Sequence, residues 1–122
     1  MPKLTYISDL SGSGKPLVWL RSEIKTPPLP RKARVELGYR LRLLQKGLLL
    51  AMPHCRPMIA IGKSCYELRL RDAGTNWRLV FRVDEDAVIV VGLFRKTSPS
   101  ATGRLIAVSR RRLSEYDAAG KG

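Results

Sequence analysis

From residue 66 to residue 83 apolar and polar side chains alternate almost one for one. Tyr66, Leu68 and Leu70 alternate with Glu67, Arg69 and Arg71; the stretch DAGTN then turns the chain, and Trp77, Leu79, Phe81 and Val83 alternate with Arg78, Val80 and Arg82. A period of two belongs to a half-buried strand. After a second turn, DED at 84–86, the run AVIVVGLF is apolar on both faces, which predicts a strand inside the sheet. Turns this short join antiparallel neighbours, so the three segments predict a meander. Upstream the period becomes helical. Ala33, Leu37, Leu41, Leu44 and Leu48 form one stripe, Pro30 suits a first helical turn, and Gly47 marks a stop. That stripe is the natural cover for the face holding Tyr66, Leu68, Leu70, Trp77, Leu79 and Phe81.

The remaining segments are weaker. Leu17 to Leu20 reads as a short edge strand carrying Trp19, and PHCRPM at 53–58, bracketed by prolines, reads as a loop. SPSATG at 98–103 breaks the pattern, and 104–116 predicts a closing helix docked by Leu105, Ile106, Leu113 and Tyr116, with Arg110, Arg111 and Arg112 pointing mostly outward. A length of 122 residues fits one domain. The chain so read is an α+β protein: a small antiparallel sheet against a helix, in a single domain over 17–116, with a flexible lead-in at 1–16 and a tail at 117–122.

Charge changes the picture. Twenty-three Lys and Arg against ten Asp and Glu give +13. Such a field attracts polyanions: nucleic acid, an acidic protein or an anionic membrane surface. A membrane span is not expected, because the longest apolar run, Ala87 to Phe94, falls far short of the roughly 20 residues that cross a bilayer. The GSGK stretch ending at Lys15 is not a phosphate loop, which needs glycine where Asp9 stands and Ser or Thr where Pro16 stands. Cys55 and Cys65 lack metal or redox spacing and read as reduced thiols of a cytoplasmic protein, and a single histidine, His54, does not make a metal site. No cofactor is expected.

The pleat gathers Arg69, Arg71, Arg78 and Arg82 with Glu67 on the face opposite the aromatic residues, and Arg95 and Lys96 stand where the third strand leaves the sheet. Clustered cations repel one another, and a shared anion relieves the repulsion. The arginine fork matches phosphate oxygens in particular. Cross-strand pairing with Glu67, Asp72 and the DED turn is the alternative use for these arginines. Arg82, Arg110, Arg111 and Arg112 are further candidates to contact RNA. For proton transfer, arginine is a poor base, which leaves Glu67 on the same face and His54, whose side chain titrates near neutrality when unperturbed.

The order of LVWL, PRKARVELGYRLRLLQKG, PHCRP, YELRLRD, NWRLVFRV, LFRKT and a basic helix closing on RRRLSEY resembles the RelE/ParE superfamily of bacterial toxins, and within it the phage-derived HigB-like group. The resemblance covers roughly 17–116. It implies helices packed on a small antiparallel sheet, and a toxin that cuts mRNA on the ribosome without metal, held inactive by an antitoxin, often a helix-turn-helix protein. Carried over position by position, the substrate-binding and catalytic basic residues fall on Arg69, Arg71, Arg78, Arg95 and Lys96. Where many relatives have a histidine or an acidic residue late in the third strand, this chain has Gly92 and Leu93, and the tyrosine some relatives use there has no clear counterpart. Two other outcomes stay open: a ParE-like poison of DNA gyrase, and a non-catalytic module that binds an antitoxin.

Overall fold

The computed structural model describes residues 5–7, 15–20, 29–47, 55–72, 74–96, 98 and 100–120. Its elements are β1 (Thr5–Ile7), β2 (Leu17–Trp19), α1 (Arg31–Gln45), β3 (Cys55–Pro57), β4 (Cys65–Asp72), β5 (Thr75–Val83), β6 (Val88–Arg95) and α2 (Ser100–Gly120). The strands form one six-stranded sheet in the order β1-β2-β6-β5-β4-β3. The α+β class stands, and β4, β5 and β6 form the expected antiparallel meander. Gly74 takes the left-handed backbone that closes the first turn (φ +81°).

Three short strands depart from the sequence reading. β2 is not at an edge: it pairs parallel with β6 on one side and antiparallel with β1 on the other. β1 itself falls within the stretch expected to be a lead-in. Cys55–Pro57, expected to be a loop, is the edge strand β3 on β4. An edge position tolerates Pro57 because one side of the strand needs no donor. All three are too short to show a period, and the parallel pair joins segments about seventy residues apart, which local patterning cannot report.

α1 buries Ala33, Leu37, Leu41 and Leu44 against Leu68, Leu70, Trp77, Leu79, Phe81, Val88 and Val90. Leu48, the last residue of the expected stripe, lies outside the described residues. The helix closes at Gly47, which takes a positive φ and donates its N–H to the Leu44 carbonyl. Buried Gln45 bonds through its amide to the carbonyl of Lys15, while the Lys15 N–H returns a bond to the Gln45 carbonyl, so the segment before β2 is fastened to the end of α1.

The opposite face is also covered. α2 lays Leu105 and Leu113, with Ser109 buried between them, over Val80, Ile89 and Val91, joined by Val18, Leu20, Met58 and Ile61. This is why β6 is apolar on both faces: it lies between two helices. α2 begins at Ser100, ahead of the expected start, and runs to Gly120, past the expected end. Among the described residues no helix is long and apolar enough to cross a membrane.

Candidate active site

The register of β3, β4 and β5 builds the site. Glu67 of β4 faces Arg56 across β3, and the neighbouring rung sets Arg69 of β4 opposite Arg78 of β5. Like charges facing each other across strands repel. Glu67 lies among them, buried, and pairs with all three: Arg56 Nε at 3.5 Å, Arg69 Nε at 3.4 Å and Arg78 Nε at 3.5 Å. One carboxylate therefore holds three guanidinium groups together, and the cluster keeps an excess of positive charge. Arg78 is the deepest, its side chain only 11% exposed. Burial draws its guanidinium below its ordinary pKa; Glu67 opposes that pull, and Arg69 and Arg56 add to it. An anion beside Arg78 relieves both the desolvation and the crowding of like charge.

A cleft of about 130 Å³ opens beside this cluster. The sheet supplies Glu67, Arg78 and Phe94, the end of β6 supplies Arg95 and Lys96, and the first turns of α2 supply Ala101, Thr102, Arg104 and Leu105. The backbone N–H of Lys96 bonds to the Asn76 carbonyl, which fixes the point where the chain leaves the sheet. The Arg95 guanidinium lies 5.2 Å from the centroid of the Trp77 ring. Arg95, Lys96 and Arg104 are exposed and have no carboxylate within ion-pair distance among the described residues.

The expected residues thus divide. Glu67, Arg78, Arg95 and Lys96 line the cleft, and Arg69 stands beside it through Glu67. Arg71 is exposed farther along β4, opposite Asn76, and does not line it. Arg82 is on the same face but at its other end, where Asp84 and Asp117 each take two of its hydrogen bonds, at 2.7 to 3.0 Å. Those bonds, Asp117 foremost, hold its proton more tightly than usual. Arg82 fastens α2 to β5, with its guanidinium committed to two carboxylates. Arg110 bonds to the Ala60 carbonyl, and Arg111 is exposed. Arg112 points inward, contrary to the expected outward direction: it donates to the Val91 carbonyl at 3.1 Å and lies over the Phe94 ring. The space it occupies is the one a side chain at Gly92 would fill. His54 lies outside the described residues.

Arg56, Thr102 and Arg104 were not anticipated. Arg56 sits in a segment too short to show alternation. Thr102 and Arg104 lie at the start of α2, where Gly103 and Pro99 read as a break. No group of metal-ligating side chains occurs among the described residues.

The sequence matches the family described as phage derived protein Gp49-like (DUF891) over residues 27–114. The chain belongs to that family. The Gp49-like family is a RelE-related family of toxins from toxin–antitoxin systems, so an antitoxin partner comes with membership. The matched span includes α1, β3 to β6 and most of α2, and with them every residue of the cleft. No curated protein and no solved structure matches the chain.

Proposed function

We propose that this Gp49-like toxin is an mRNA endoribonuclease of the HigB-like kind. It acts in the cytoplasm on ribosome-bound message and is restrained by an antitoxin of the helix-turn-helix class. The observation that carries the reading is buried Glu67, bound by three arginines, lining a cleft whose other charged residues are all basic. Cleavage by this route needs no metal. The ribose 2′-oxygen attacks the adjacent phosphorus, the bond from phosphorus to the 5′-oxygen breaks, and a 2′,3′-cyclic phosphate remains. Glu67, the only carboxylate lining the cleft among the described residues, takes the 2′-hydroxyl proton. Lys96 gives a proton to the departing 5′-oxygen. Arg78, with Arg95 beside it, stabilises the charge that grows on the phosphorane, a contribution that depends on fixed, partly dehydrated donors. Arg69 holds Glu67 in place, and Arg71 guides the RNA backbone towards the cleft. Arg31, Lys32 and Arg111 belong to the exposed basic surface that meets ribosomal RNA.

The test is induced expression of the wild type and of Arg78→Ala in growing cells, with mapping of mRNA 5′ ends. The wild type arrests growth and produces new ends within coding sequence, and Arg78→Ala does neither. Arrest without new ends, accompanied by inhibition of gyrase supercoiling by the purified protein, would move the reading to a ParE-type poison. Unimpaired growth would leave only an antitoxin-binding module.

A further inference from the structure

The cleft carries more positive charge than one phosphodiester neutralises, and it carries it on two walls. On the sheet wall, Arg78 is already paired with Glu67, and Arg95 and Lys96 stand at the rim. The α2 wall contributes Thr102 and Arg104. The first turn of α2 contains no acidic residue, so nothing in that turn neutralises Arg104. A guanidinium at a cleft edge with no carboxylate within 4 Å among the described residues is placed to receive an anion rather than to brace the fold. Arg78 lies deep in the cleft and Arg104 at its exposed edge, so each can meet a separate anionic group.

We propose that the cleft takes two consecutive phosphodiesters of a single strand: the scissile one against Arg78, and its neighbour against Arg104 and Thr102 on α2. The inference rests on the RNA reading above and deepens it. Arg104 then acts in substrate binding, and selects for a strand that continues past the cut rather than for a terminal nucleotide. An exposed guanidinium forms a charge-assisted, forked pair with a phosphate without distorting either partner.

The experiment is an NMR titration of the purified full chain with two 2′-O-methyl RNA probes that cannot be cleaved: a dinucleotide with one phosphodiester and a trinucleotide with two. The wild type binds the trinucleotide about fivefold more tightly. Arg104→Ala removes that advantage and leaves dinucleotide binding unchanged, and with a longer 2′-O-methyl strand it lowers the logarithmic salt slope by about 0.7. Arg40→Ala, on α1 across the sheet where Arg40 pairs with Glu36, changes neither. Equal affinity of the wild type for both probes, equal weakening of both by Arg104→Ala, or no binding of either probe overturns the proposal. Because the probes are not cleaved, the outcome is separable from nuclease activity. A protein that prefers the trinucleotide but produces no new mRNA ends keeps this inference and loses the nuclease reading.

Discussion

Gly92 and Arg112 use the same space between β6 and α2. A Cβ at position 92 would run into Nη1 of Arg112, and it would lie 3.2 Å from the Phe94 ring over which that guanidinium sits. Gly92→Ala therefore pushes Arg112 out of its bond to the Val91 carbonyl. The arginine is flexible enough to swing aside, so the expected cost is modest, about 1–2 kcal/mol in a urea melt. In the background of Arg112→Ala the same substitution costs measurably less, and the shortfall from additivity reports the shared space. Additive effects would show that the two residues do not compete.

Glu67 is expected to matter to stability as well as to chemistry. Glu67→Gln leaves Arg56, Arg69 and Arg78 facing one another uncompensated. The loss is about 1–3 kcal/mol, at the low end because Arg56 and Arg69 reach water. Inorganic phosphate or sulfate raises the Tm of the variant more than that of the wild type, because the anion takes the carboxylate's place. Equal shifts in a thermal melt would count against an anion site at this cluster. In mRNA end mapping, Glu67→Gln loses the new ends and His54→Ala keeps them; the reverse result would transfer the role of base to His54.

Arg82 gives the opposite pattern. Arg82→Ala removes the guanidinium that Asp84 and Asp117 share and loosens the distal half of α2 from the sheet. About 1–3 kcal/mol of stability is lost, discounted because Asp117 is substantially exposed. RNA affinity of the folded fraction is unchanged, and probe titration below the melting transition checks this. A loss of affinity matching that of Arg78→Ala would return Arg82 to the binding surface.

The cysteines set an alkaline limit. Burial, with Glu67 nearby, pushes the Cys55 thiol up to about 11 from an ordinary 9.0, and burial also raises Cys65. For an acid whose folded pKa is raised, the unfolded chain releases its proton first. The stabilising effect is therefore whole below pH 9 and is lost as pH rises from about 9 to about 11, by on the order of 2 kcal/mol for Cys55. Urea melts across that range should show the decline, and Cys55→Ala should flatten it. Both thiols react slowly with a disulfide reagent in the native protein and rapidly after unfolding.

Where the sequence was legible, a strong period made it so. Strict alternation placed Arg69 and Arg78 on one face, and the leucine stripe identified the cover of the other. α2 was harder, because its buried line includes Ser109 between Leu105 and Leu113 and its first turn contains Gly103. Its spacing foretold the helix but not which face of the sheet it covers, so the arginine face looked open and the α2 wall of the cleft, with Arg104, could not be inferred. Arg82 shows a second limit. Its position on the face followed from the pleat and its pairing with Asp84 from the DED turn, but its second partner, Asp117, lies thirty-five residues away in a stretch that resembled a tail. Arg112 shows a third: no pattern of spacing reveals that an arginine will turn inward to fill the gap above a glycine.

The parallel pairing of β2 with β6 has a consequence in time. Leu17 to Trp19 are synthesised early, but their partners, Val88 to Val90, come some seventy residues later, and the α2 wall of the cleft later still. A pairing between such distant segments is slow to close and cannot begin before both exist. The nascent chain therefore cannot assemble the cleft until β6 and the first turns of α2 have both been made.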